Sequence, residues 1–302
     1  YYGTGDLVCF DFTGKKIWAR NIEEDHGEFA VQFGYGSSTL LYQNKLYVLV
    51  LQRDTPLDGT PRDSYLLAID PQTGKDLWKH IRPSDAKRES LEAYTTPIPY
   101  EGSGRKEIVI HGGDYTTGHD PATGQELWRW GAYNLRGFPH WRIVPSPVTG
   151  DGKIFVAAPK RAPLYALPGG AKGKLPYDKA LWSFDDYPPD VCVPLFYQNR
   201  LFVFDGDKHV MTCLDPSNGQ TMWDADLGGE TVYRASPTAG DGKIYCMNED
   251  AMVIVMDAAS DTYKELGRIE MNESPSRASI AIAKNQLFIR TAQNLYCVSK
   301  QK

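Results

Sequence analysis

The sequence predicts an all-β fold, a β-propeller of four-stranded antiparallel blades, and three recurring patterns predict it. A five-residue strand motif appears seven times along the chain, ending at positions 11, 70, 120, 168, 215, 257 and 299, with spacings of 59, 50, 48, 47, 42 and 42. A tight-turn motif leading to tryptophan follows most copies. An alternating apolar strand opened by a turn precedes them. A four-stranded unit of about 40–50 residues repeated along a chain is a propeller blade.

The strand motif, here strand C, reads Leu7–Asp11, Leu66–Asp70, Thr116–Asp120, Leu164–Pro168, Met211–Asp215, Val253–Asp257 and Leu295–Ser299. After it, Asp70, Asp120 and Asp215 each open an Asp-Pro-x-x-Gly turn, with Trp78, Trp128 and Trp223 eight positions on. Asp11 to Gly14 leads to Trp18 one residue sooner. Aspartate caps such a turn, proline presets φ and glycine takes the left-handed position. The tryptophan falls on strand D, where its flat surface can pack against a neighbouring repeat. Strand B is the alternating run of Lys45–Leu49, Lys153–Ala157, Arg200–Phe204, Lys243–Met247 and Gln286–Arg290. Strand A is the short stretch beginning at Ser146 or Ser236, each followed by proline. The only helical candidate, Ser84 to Tyr94, is short and has no clear apolar face.

Composition agrees with many short strands and tight turns: among 302 residues there are 28 glycines, 20 prolines and 18 tyrosines. A formal net charge of −5 argues against a nucleic-acid partner, which would favour a basic surface. No apolar run approaches the ~20 residues of a membrane helix, so no transmembrane segment is expected. The five cysteines are odd in number. Cys9, Cys213 and Cys297 occupy the small third position of strand C, and Cys246 a valine position of strand B. These serve as small hydrophobes, leaving Cys192 outside the demands of the repeat.

The pattern L-Y-A-L-D-x-x-T-G-x-x-L-W resembles the pyrroloquinoline-quinone (PQQ) repeat of the quinoprotein alcohol dehydrogenase-like superfamily. Asp70–Trp78 and Asp120–Trp128 carry the resemblance most fully, and it spans the chain from Leu7 to Ser299. Copy four departs from it, with Pro168 for aspartate and an insertion before Trp182. Copy six has Asp261 for glycine and no tryptophan. The resemblance implies one propeller domain over residues 1–302, trimmed at its N-terminus, with Tyr1 to Thr4 as the tail of a B strand. It implies seven or eight blades in the intact protein and a periplasmic or extracellular setting. It also implies two functions. One is the non-catalytic scaffold of the assembly lipoproteins, engaging a protein partner. The other is a PQQ-dependent oxidoreductase using the quinone with calcium. Dehydrogenases of this superfamily carry adjacent cysteines over the cofactor, and this chain has no such pair.

In such a fold the D–A and B–C loops share the face where ligands bind. Residues there that the repeat does not require are the site candidates: His111, His140, Trp141, Arg142, Lys160, Arg161, Asp190, Cys192, Asp205, Arg234, Asn248 and Arg277. The arginines suit an anionic small molecule through bidentate pairing, unless nearby acidic loop residues take them first. The exit position of strand B runs Val50, His111, Ala158, Asp205, Asn248 and Thr291, a variability expected of residues facing a channel mouth. Asp205, Asp207, Glu249 and Asp250 are candidate oxygen ligands for calcium. The histidines lack zinc spacing. Trp141 and Tyr133 could also stack on sugar rings, a third class of function.

Overall fold

The computed structural model describes residues 1–53, 62–131 and 133–299. They form two compact units, Tyr1–Pro159 with Leu167–Ala180, and Lys160–Ala166 with Leu181–Lys302.

In the first unit β1 (Asp6–Phe10) pairs with β2 (Lys16–Asn21). A four-stranded sheet follows in chain order: β3 (Leu40–Tyr42), β4 (Lys45–Val50), β5 (Tyr65–Ile69) and β6 (Asp76–Ile81). The next sheet runs β7 (Ile98–Gly102), β8 (Arg105–Gly112), β9 (Tyr115–His119) and β10 (Glu126–Trp130). A hairpin of β11 (Val148–Gly150) and β12 (Lys153–Ala157) comes after it.

In the second unit the start of β13 (Leu164–Pro168) pairs with β15 (Trp182–Phe184). The short β14 (Gly173–Lys174) lies between them in sequence and belongs to the first unit. Two complete sheets follow. The first is β16 (Leu195–Tyr197), β17 (Arg200–Asp205), β18 (Val210–Leu214) and β19 (Thr221–Asp226). The second is β20 (Thr238–Gly240), β21 (Lys243–Met247), β22 (Met252–Asp257) and β23 (Glu265–Glu270). The last sheet has three strands, β24 (Ala281–Ala283), β25 (Gln286–Arg290) and β26 (Leu295–Ser299). The A-B-C-D order expected from the repeat is therefore the order of pairing.

Burial follows position in the sheet. Every residue of β5 is buried, as are Tyr47 to Val50 of β4, so inner strands read as continuous apolar runs. The outer strand β6 exposes Asp76, Leu77, Lys79 and Ile81 and half-buries Trp78 and His80.

The conserved geometry of the turns has two causes. The aspartate caps them: Asp70 Oδ1 accepts the Gln72 amide at 2.8 Å and Asp120 Oδ1 the Ala122 amide at 2.7 Å. The glycine is needed for φ and also for clearance. Trp18 lies on Gly74 of the following repeat, where a Cβ would come within 2.8 Å of the ring, and its indole N–H donates to Pro71 O at 2.9 Å. Trp182 sits likewise on Gly219, with Pro216 O at 3.2 Å. Trp223 reaches Ser260 O at 3.2 Å, although that copy lacks the glycine. Trp78 packs on Gly124, but there the Tyr47 hydroxyl takes Pro121 O at 2.8 Å and the Trp78 N–H has no partner. Trp128 turns instead into its own sheet: its N–H meets Glu107 Oε2 at 2.5 Å, against Gly118, and Arg105 holds the buried Glu107 at 2.6 Å.

The structure corrects four local expectations. Tyr1 to Thr4 is no strand; the chain turns there, with the Gly5 amide on Tyr2 O at 3.0 Å. A five-residue helix, α1 (Ile22–His26), follows β2, capped by Asn21 Oδ1 on the amides of Glu23 and Glu24. Within Ser84–Tyr94 only Arg88–Leu91 is helical, as one 3-10 turn. The insertion in copy four carries β14, which adds to β10 in parallel as a fifth strand. No helix among the described residues is long and apolar enough to cross a membrane.

Gly124→Ala tests the packing. Gly124 has φ +76° and a Cβ there would lie 2.5 Å from Trp78. The left-handed strain and overpacking together are expected to cost about 2–4 kcal/mol in urea unfolding. A loss below about 0.5 kcal/mol would show that the ring can move aside.

Candidate functional site

The exit position of strand B does not open to solvent. Val50, His111, Ala158, Asp205, Asn248 and Thr291 are all at most 3% exposed. At two of these positions the side chain closes the following turn. Asp205 Oδ1 accepts the amides of Asp207 and Lys208 at 3.1 Å, and Asn248 Oδ1 accepts the Met252 amide at 2.8 Å. The His111 Nδ1 lies 2.9 Å from Thr116 Oγ1 and its Nε2 lies 3.0 Å from Ala157 O. Complete burial pushes the His111 imidazole down to about 4, against the hydrogen bond to Ala157 O that raises it. Both ring nitrogens are thus engaged, and the ring is held neutral.

In the second unit, strand-exit loops bring Arg161, Asp205, Asp207 and Arg234 together. The turn at Lys160 and Arg161 is left-handed, with φ of 56° and 60°, and the Lys160 amide donates to Asp190 Oδ1 at 2.8 Å. Arg161 Nη2 meets Asp207 Oδ2 at 3.1 Å and Arg234 Nη1 meets Asp207 Oδ1 at 2.8 Å. One carboxylate is therefore shared between two guanidinium groups. Arg277 is exposed and pairs with Glu249 at 2.7 Å. Cys192 is 1% exposed, its Sγ 3.5 Å from the carbonyls of Tyr233 and Ala235. Burial pushes its thiol up to about 12, far from a reactive thiolate.

These arrangements bear on the expected anion and calcium sites. Each of these arginines is paired, Arg161 and Arg234 with one shared carboxylate, so an incoming anion would compete with a carboxylate already in place. Asp207 serves two arginines, Glu249 serves Arg277, and one Asp205 oxygen serves backbone amides, while Asp205 Oδ2 is buried without a partner. The Asp250 amide is bound by Thr231 Oγ1 at 3.1 Å. Among the described residues no three His, Cys, Asp or Glu side chains gather as a metal-ligand set. Asp205, Asp207, Glu249 and Asp250 therefore do not gather as one carboxylate set for calcium.

In the first unit the third D–A loop presents a different surface. Ser90 Oγ accepts the Trp141 amide at 2.7 Å and donates to Phe138 O at 2.5 Å. Trp141 and Phe138 rings lie 5.0 Å apart, with the exposed His140 at 5.9 Å from Phe138. Arg142 pairs with Glu89 and lies 4.9 Å over the Phe33 ring, itself 62% exposed. Phe33 and Glu89 were legible only as loop residues; their contact with Arg142 spans more than 50 positions and leaves no local signal.

The chain matches the family model described as outer membrane protein assembly factor BamB, over residues 1–161 and again over 113–301. No curated protein matches it. Among solved structures it is similar to BamB from Moraxella catarrhalis, with a TM-score of 0.65 and 14% identity, covering 96% of this chain and 77% of that one. A europium-containing methanol dehydrogenase matches with a TM-score of 0.66 and 10% identity, covering 94% and 69%. The quinohemoprotein alcohol dehydrogenase of Comamonas testosteroni matches with a TM-score of 0.61 and 10% identity, covering 94% and 59%. At such identities the likeness establishes the fold alone, a β-propeller.

The buried imidazole sets a pH dependence. Unfolded His111 binds its proton near the ordinary value of 6.5, whereas the folded ring does so only near 4. Between those values the unfolded state holds more protons, so this contribution is full above pH 6.5 and is lost as pH falls towards 4. The loss is on the order of 3 kcal/mol. His119, pushed down to about 3, acts in the same sense. Asp114, raised to about 6, acts in the opposite sense. His111→Gln is expected to flatten the fall in urea midpoint over this range; an unchanged slope would place its origin elsewhere.

Proposed function

The chain belongs to the family of the outer membrane protein assembly factor BamB, and we propose that it is a non-catalytic binding propeller that docks a protein partner on the aromatic loop surface around Trp141. The observation that carries this reading is the composition of that surface. Trp141, Phe138, Phe33 and Arg142 stand together in the first unit, with His140 exposed beside them. Tryptophan, arginine and other aromatic residues dominate binding energy at protein interfaces. The Ser90 hydrogen bonds and the Glu89–Arg142 pair hold these side chains in place, which reduces the ordering cost of association.

Family membership supports a periplasmic setting and a partner in outer membrane protein assembly. The loop charges of the second unit support binding over catalysis, since the arginines that would polarise a quinone are already paired, Arg161 and Arg234 sharing Asp207 and Arg277 held by Glu249. Their arrangement suits steering and register at a protein surface better than capture of a small anion.

The test is a titration against the purified periplasmic portion of the assembly machinery of the source cell. Trp141→Ala and Phe33→Ala are expected each to weaken binding by about 1–4 kcal/mol, with Arg277→Ala near neutral. Equal affinities throughout would remove the docking surface. A parallel titration with PQQ and calcium, followed by tryptophan fluorescence, is expected to give no saturable quenching. Saturable, calcium-dependent quenching would favour the oxidoreductase instead.

A further inference from the structure

The insertion of copy four builds one wall of a cavity that neither the repeat nor the proposed docking surface explains. After β14 the chain stays against β10: the Leu175 amide donates to Arg129 O at 2.8 Å and Tyr177 O accepts the Trp130 indole N–H at 3.4 Å. Opposite stands the β8–β9 turn, Gly113–Asp114, with φ of 57° and 61°. The third side is the loop from Asn134, whose side chain binds both the amide and the carbonyl of Phe138. The cavity of about 330 Å³ between them is lined by Asp85, Asp114, Tyr115, Asn134, Leu135 and Tyr177.

Two carboxylates line it, the buried Asp114 and the exposed Asp85. Asp114 is only 8% exposed, and its single hydrogen bond among the described residues comes from Asn134 Nδ2 to Oδ1 at 2.9 Å. Its other oxygen accepts none. Asp85 accepts the Tyr115 hydroxyl at 2.8 Å. Neither carboxylate is in an ion pair among the described residues. A buried carboxylate held by one neutral amide is under-compensated, and a bound cation relieves it. Lys174 also lines the cavity but is exposed and bonds neither carboxylate. Behind the site, Arg82 bonds Tyr115 O at 2.8 Å and Thr117 Oγ1 at 2.9 Å. Arg129 lies 4.7 Å over the Tyr115 ring and is paired to Glu126.

We propose that this cavity binds a primary ammonium group, with Asp114 and Asp85 taking its charge and the Tyr115 and Tyr177 side chains forming the walls. Aromatic walls beside a carboxylate suit an organic cation. Two carboxylates are more than neutral sugar hydroxyls require. The charge also makes binding depend on pH. Burial, with Asp85 adding and Asn134 opposing, raises the Asp114 carboxyl to about 6. Ammonium binding needs the ionised form, so it weakens as pH falls below that value.

Calorimetric titrations of the whole chain with n-butylammonium, Nα-acetyl-lysine amide and methyl glucoside test this at fixed ionic strength. Asparagine accepts the left-handed turn, so Asp114→Asn should fold, as near-ultraviolet dichroism will verify. Saturable binding of an ammonium probe at pH 7.5 is expected, weakened about tenfold in Asp114→Asn and likewise at pH 5. Tighter binding of the lysine derivative would assign the site to a partner's side chain; tighter butylammonium binding would assign it to a small amine. Either supports the site. Absence of ammonium binding, equal affinity in Asp114→Asn, or binding of the glucoside alone overturns it. The Trp141 variants should not alter these affinities, so failure here is distinct from failure of the docking surface.

Discussion

The packing of a strand-D tryptophan on the turn of the following repeat is the constraint on which the sheets depend. Each sheet is a small antiparallel unit that cannot bury its own faces. The indole supplies a flat apolar surface and one donor, and the turn supplies a glycine with no Cβ and a carbonyl at its edge. Trp18 on Gly74 and Trp182 on Gly219 show the full contact, with Pro71 O and Pro216 O as acceptors. The deviations are informative. Trp78 yields its acceptor to Tyr47, and Trp128 binds a buried carboxylate in its own sheet, the copy before the insertion.

The same economy governs the loops. Polar residues at the ends of strands are consumed in closing turns, because a buried carboxylate or imidazole must find donors or acceptors at once. Asp205, Asn248 and His111 look like site residues by type but serve the backbone. The arginines nearby are paired with carboxylates from other loops, two of them with the same one. What we propose for recognition is where such compensation is incomplete: the partly exposed aromatic cluster around Trp141, and Asp114 with an open oxygen in a cavity.

The two surfaces arise differently. The Trp141 loop is a long D–A connection tied down by Ser90, a residue of the preceding D–A connection. The Asp114 cavity needs three segments, including an insertion that adds a parallel strand to an otherwise antiparallel sheet. Insertions at the edge of a repeat leave the core intact, so they are where a repeat fold acquires features of its own.

By itself the sequence determined the class of fold, the four-strand order and the position of nearly every strand. Those depend on local rules: Asp-Pro-x-x-Gly turns, period-two alternation and a tryptophan at a recurring spacing. It also marked Trp141 and Arg142 as residues the repeat does not need. Only the tertiary structure decided that His111 and the other exit residues lie inside, since burial at the end of a strand depends on neighbouring segments. It alone decided that Arg161, Arg234 and Asp207 share charge, that Phe33 lies under Arg142, and that the copy-four insertion faces Asp114. Each joins positions tens of residues apart, where no spacing rule applies and only packing brings opposite charges and apolar faces into contact.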